Sequence, residues 1–193
     1  MGRGKRLRRF AVRQLAAVLL ATAGLVVVSV TPAHALYKLN QSFENRDDGA
    51  WYWGLVGQGS GEWYTGQCAQ ALTGCGGVLL GHGPTGWTTL YTTVRLGALD
   101  YGWCSIGYSA RRWNSAVAPT ARLEVLRPDY TYISLTDKTL TNAWTYVGTG
   151  FYQYGARDVI IRITLPASAS GGSVGINVDD LTIDCRVLIE GRG

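Results

Sequence analysis

The sequence predicts an all-β fold of two packed antiparallel sheets, and three observations predict it. From Leu36 onward no stretch sustains the three-to-four-residue apolar spacing of an amphipathic helix. Alternating segments rich in Val, Ile, Thr and aromatic residues recur instead, punctuated by Gly, Pro, Asn and Asp. The number and spacing of these segments suit a β-sandwich of one domain.

Residues 1–35 read as a secretory signal peptide. Arg3, Lys5, Arg6, Arg8, Arg9 and Arg13 precede an apolar run from Leu15 to Val30, and Ala33-His34-Ala35 supplies a small-x-small cleavage site. An uncleaved anchor is the alternative, but the run's 16 residues fall below the roughly 17–25 of a spanning helix. The signal carries six of the 18 basic residues and none of the 13 acidic ones, so the formal net charge falls from +5 to −1, 12 bases against 13 acids. The basic balance is therefore a targeting feature. No Lys/Arg run remains to neutralise phosphates, which argues against a nucleic-acid partner. The expectation is one secreted, extracellular domain over 36–193, monomeric and free of the membrane after cleavage.

Strands are expected at 39–44, 51–56, 77–81, 87–96, 101–111, 120–127, 130–135, 144–152, 157–165 and 174–187. Side-chain alternation then assigns faces. In 87–96, Leu90, Val94 and Leu96 share one row, while Trp87, Tyr91, Thr93 and Arg95 share the other. In 101–111, Cys104, Ile106, Tyr108 and Ala110 form the core row, leaving Trp103 and Arg111 outside; Leu181, Ile183 and Cys185 form the core row of the last strand.

All four cysteines follow the signal, as expected for disulfides in an oxidising compartment. Cys104 and Cys185 both point inward, and Cys68 and Cys75 lie seven apart in a Gly-containing loop, so the predicted bridges are Cys68–Cys75 and Cys104–Cys185. A zinc site is a poor alternative, because Cys-x6-Cys is not a usual zinc spacing and only His82 is available after the signal.

Several stretches, in order, carry a family resemblance: Leu39-Asn40-Gln41-Ser42-Phe43-Glu44 followed by Trp51, Tyr91-Thr92-Thr93-Val94 running into Ser105 to Arg111, Ala121 to Val125, Leu140 to Val147, and Val178-Asp179-Asp180-Leu181-Thr182-Ile183. Together they resemble the jelly-roll carbohydrate-binding modules of families four, nine and twenty-two, within the galactose-binding-like superfamily. The resemblance implies a two-sheet jelly roll that binds a poly- or oligosaccharide without turning it over. It further implies a structural calcium held by Glu44 with Asp179 or Asp180, and places Trp51 and Trp144 inside the fold.

Sugar recognition needs flat aromatic surfaces for the C–H faces of pyranose rings, bordered by polar groups. Seven Trp and 11 Tyr against three Phe suit such a surface, although a sandwich also uses these residues to pack. Trp87, Tyr91 and Trp103, on outward rows, serve either as a platform or as surface fillers. Trp53, Trp63 and Tyr64 flank Gly57-Gln58-Gly59-Ser60-Gly61, read as a flexible loop that presents them to ligand, and Trp113 follows Arg111-Arg112 at a strand end. Arg95, Arg111, Gln67 and Gln70 are the candidate polar partners. An enzyme finds less support: no carboxylate pair stands out by spacing, no Gly-x-Ser-x-Gly accompanies His82, and His82 itself reads as an exposed turn residue. A protein-interaction module on the same fold is the rival reading, and a small jelly-roll hydrolase or lyase a more distant one.

Overall fold

The computed structural model describes residues 37–44, 52–97, 101–115, 117–169 and 171–187; the predicted signal peptide and Trp51 lie outside them. The alternating segments form eleven strands: β1 (Tyr37–Gln41), β2 (Gly54–Gly57), β3 (Ser60–Tyr64), β4 (Gly77–His82), β5 (Thr88–Leu96), β6 (Gly102–Arg112), β7 (Thr120–Leu126), β8 (Tyr132–Thr139), β9 (Thr145–Gln153), β10 (Arg157–Leu165) and β11 (Val174–Val187). One sheet runs β3-β4-β11-β6-β9, with β1 also paired to β11, and the other runs β2-β5-β10-β7-β8. All pairings are antiparallel, giving the two-sheet jelly roll.

The core is what the inward rows leave between the sheets. Leu90, Val94 and Leu96 of β5, Ile161 and Ile163 of β10 and Leu123 and Val125 of β7 meet Ile106 and Tyr108 of β6 and Ile176, Val178, Leu181 and Ile183 of β11, all buried. The row in β11 changes parity midway, from Val174, Ile176 and Val178 to Leu181, Ile183 and Cys185. A bulge between Asp179 and Thr182 absorbs the change, with Asp180 at φ 49°. The extra residue keeps both halves of a 14-residue strand facing inward.

Both predicted disulfides form. Cys104 and Cys185 face each other across β6 and β11 inside the core. Closing 81 residues, this bridge contributes about 4.5 kcal/mol on a chain-entropy estimate.

The Gly-rich stretch after Trp53 is a correction to the sequence reading. It is no flexible ligand loop but the point where the chain passes from one sheet to the other, between β2 and β3. Gly57 sits at φ 128°, and a Cβ on Gly59 would stand 2.2 Å from the Gly81 carbonyl oxygen. The glycines are there for close backbone approach, which hid strand β3 from propensity arguments. His82, expected in an exposed turn, is buried, its ring nitrogens 2.6 Å and 2.9 Å from the Gly83 and Pro166 carbonyl oxygens.

Candidate functional site

The outward face of the five-stranded sheet follows directly from register. Tyr91 on β5 lies opposite Arg162 on β10, which lies opposite Glu124 on β7; Thr93 lies opposite Ile160, and Arg95 opposite Asp158. Of these, Tyr91, Thr93, Ile160 and Arg162, with Trp87 and Val56 at one side and Tyr130 from the β7–β8 turn, enclose an open groove of about 350 Å³. Three rings border it: Trp87, 36% exposed, Tyr91, 41%, and Tyr130, 69%. A Cβ on Gly54 of β2 would fall 2.3 Å from the Tyr91 ring. The ring therefore lies over bare backbone and is kept low against the sheet.

Beside the groove runs a polar network. Glu124 is 3% exposed, yet it accepts hydrogen bonds from Tyr132 Oη (2.9 Å) and Thr164 Oγ1 (3.0 Å) and pairs with Arg162 Nε at 3.3 Å. Thr164 in turn meets Thr89 at 2.9 Å, so the hydroxyl of Thr89, buried although on the outward row, is satisfied. A buried carboxylate is tolerated where donors and a cation surround it. The hydrogen bond to Glu124, and then its charge, raises the Tyr132 hydroxyl above the ordinary tyrosine value. The consequence for the groove is that Arg162 is anchored by its cross-strand neighbour and its charge is paired. At the rim Arg95 pairs with Asp158 at 3.1 Å. Alongside, Arg122 clasps Asp137 through two hydrogen bonds of 2.7 Å and 2.8 Å, which hold that carboxyl below its usual value.

Tyr130 is placed by turn chemistry. Its N–H donates to Arg127 O at 2.9 Å, Pro128 occupies the second turn position, and Asp129 accepts from the Thr131 N–H and hydroxyl at 3.0 Å and 2.7 Å. Tyr130 then adopts φ 65°, a left-handed conformation that usually falls to Gly or Asn.

The other predicted residues disperse. Trp53 is a correction: at 2% exposure it belongs to the core, its ring 5.4 Å from Phe43. Trp63 is partly buried against the same core on the other sheet, and Tyr64 is buried. Arg111 holds the disulfide loop, donating to Gln70 O at 3.0 Å, and lies over Trp144 at 4.9 Å; Trp144 is thus half-buried beneath a guanidinium and not interior. Gln67 and Gln70 are parts of that loop, linked by a backbone hydrogen bond of 2.8 Å. Trp113 lines a separate depression with Glu62 and Asn114. Trp103 is exposed on the six-stranded sheet, facing away from Trp87.

Glu44, Asp179 and Asp180 converge on one loop, Cys68–Cys75. Glu44 accepts the Cys75 N–H at 3.0 Å, Asp179 accepts those of Leu72, Thr73 and Asp180 at 2.7, 3.1 and 2.8 Å, and Asp180 accepts the Thr73 hydroxyl at 2.6 Å. Burial raises the Asp179 carboxyl, and these amides partly offset it. The groups facing the carboxylates are hydrogen-bond donors, whereas calcium requires six to eight oxygens. Nor do three or more metal-ligating side chains cluster among the described residues. The arrangement does not fit a calcium site; it fits a clamp on the loop.

No protein-family model matches this sequence, and no curated protein matches it. Among solved structures the fold is similar to the CBM22-1 xylan-binding domain of Paenibacillus barcinonensis Xyn10C, with TM-score 0.56 and 11% identity over 78% of this chain and 94% of that one. It is also similar to a CBM4 structure, with TM-score 0.50 and 14% identity over 68% of this chain and 94% of that one. The enzymatically active domain of tailspike protein 4 from bacteriophage CBA120 matches with TM-score 0.51 and 14% identity over 74% of this chain; this chain spans about a fifth (20%) of that one. The likeness is one of fold, and it agrees with the jelly-roll resemblance read from families four and twenty-two.

Proposed function

We propose that the protein is a secreted, non-catalytic carbohydrate-binding module whose groove on the five-stranded sheet takes an uncharged poly- or oligosaccharide. One observation carries the reading: Trp87, Tyr91 and Tyr130 present partly exposed rings around a single groove floored by Thr93 and Arg162. Rings stack on sugar C–H faces, while the hydroxyl and the guanidinium pair with sugar hydroxyls. Arg162 and Arg95 are both ion-paired, which favours a ligand without charge. No carboxylate lines the groove among the described residues, and Glu124 beside it is occupied by its own donors, which supports binding without turnover. The xylan-binding neighbour makes a plant-type polysaccharide a sensible first probe. The test is co-sedimentation of the protein with insoluble cellulose, xylan, chitin and peptidoglycan. At least one should retain the wild type and retain Trp87→Ala less well; a protein left in the supernatant by all four sinks the proposal.

A further inference from the structure

The opposite sheet carries a second aromatic surface. Tyr101, Trp103, Tyr146 and Tyr152 are each more than a third exposed, and Trp103 and Tyr152 are cross-strand partners on β6 and β9. The Trp103 ring lies across Gly150, where a Cβ would stand 2.2 Å from it. Tyr146 lies across both Gly107 and Gly148, at 2.3 Å and 2.2 Å from their would-be Cβ atoms. Tyr152 meets Trp103 edge-on at 4.9 Å and 75°, and Tyr101 stacks on Tyr152 at 5.5 Å and 9°. The result is a flat floor of two rings in a row along β9, with a standing wall at one end.

Glycine inside a strand weakens it, so three of them under two rings form a costly arrangement for mere surface filling. What they produce is flatness. The outward positions of β9 (Tyr146, Gly148, Gly150, Tyr152) and of β6 from Trp103 to Ser109 carry no charge; Arg111, farther along the same row of β6, is turned onto Gln70 O and the Trp144 ring, Arg186 and Asp184 on the neighbouring β11 pair at 3.0 Å, and Lys38 of β1 stands opposite Asp184. Uncharged around the two rings, flat and hydroxyl-edged, this stretch fits the ring faces of an uncharged polysaccharide, and two successive stacking surfaces call for a ligand of more than one ring.

We infer that the outward face of the six-stranded sheet is a second polysaccharide-binding surface, centred on Trp103 and Tyr146, so that one molecule holds glycan on two opposite sides. The inference shares the sugar-binding reading of the groove, and the experiment separates the two. A protein with the groove disabled by Trp87→Ala and Tyr91→Ala is sedimented with cellulose and xylan. Residual retention is expected, and adding Trp103→Ala and Tyr146→Ala should reduce it by roughly two- to tenfold per ring. Gly150→Ala, which keeps every ring but lifts Trp103, should act in the same direction. If the groove variant retains nothing while the wild type is retained, the groove stands and the second surface falls. Residual retention that ignores Trp103 and Tyr146, or a dimer that dissociates on Trp103→Ala, also overturns it.

Discussion

Replacing Tyr130 with asparagine separates a binding residue from a structural one. The side chain is 69% exposed, so little apolar burial is lost with it. Its backbone sits at φ 65°, where a residue with an ordinary Cβ costs roughly 1–2 kcal/mol and asparagine is tolerated. The turn's other hydrogen bonds, from Tyr130 N to Arg127 O and from Thr131 to Asp129, use no atom of the removed ring. Stability in urea should therefore stay level or rise by up to about 1 kcal/mol, which for a domain of this size is about 2–4 °C in Tm. Retention on the polysaccharide that binds the wild type should weaken by roughly two- to tenfold, the value of one lost ring contact. A loss of more than about 1 kcal/mol in stability would show that the ring packs, and unchanged retention would show that it does not touch ligand.

Glu124→Gln keeps the shape but turns one carboxylate oxygen into a donor facing donors, so stability should fall by about 2–3 kcal/mol with an unchanged m-value in urea, and retention should fall as Arg162 loosens; wild-type behaviour in both assays contradicts the network described. Because the Cys68–Cys75 loop is clamped by amide hydrogen bonds, exhaustive chelation should leave Tm unmoved, and a drop reversed by calcium would restore the metal reading. Burial, and then the charge of Asp179, pushes Tyr64 up to about 12 from 10, so its contribution is complete below pH 10 and lost as pH rises through 12. Tyr64→Phe should accordingly flatten the alkaline fall in stability; an equally steep fall in the variant contradicts the assignment.

Much of this was legible in the alternation of side chains. Parity alone placed Leu90, Val94, Cys104, Ile106, Tyr108, Ile183 and Cys185 inside, and the inward aim of Cys104 and Cys185 selected the disulfides. Parity says which side of a strand a residue takes, however, and not which sheet the strand joins. Trp87 and Trp103 consequently read as one surface although they stand on opposite faces of the sandwich. The Gly-rich stretch misled for a related reason, since close approach and flexibility favour the same residue, and Trp53 and Trp63 were placed in solvent where the chain packs them. The groove's remaining members were within reach. Arg127-Pro128-Asp129-Tyr130 is turn chemistry that lifts Tyr130 off the strand, and alternation over Ala121 to Val125 turns Glu124 outward. Its burial there depends on Thr164, Tyr132 and Arg162 from neighbouring strands, which only the pairing register reveals.

The adsorption isotherm of Trp87→Ala combined with Tyr91→Ala, set against wild type on the best-retained polysaccharide, is the most direct probe of the groove. Affinity should drop by roughly five- to a hundredfold for the two rings, with the thermal transition intact. Superimposable isotherms from two equally well-folded proteins would mean that sugar is not bound where these rings stand.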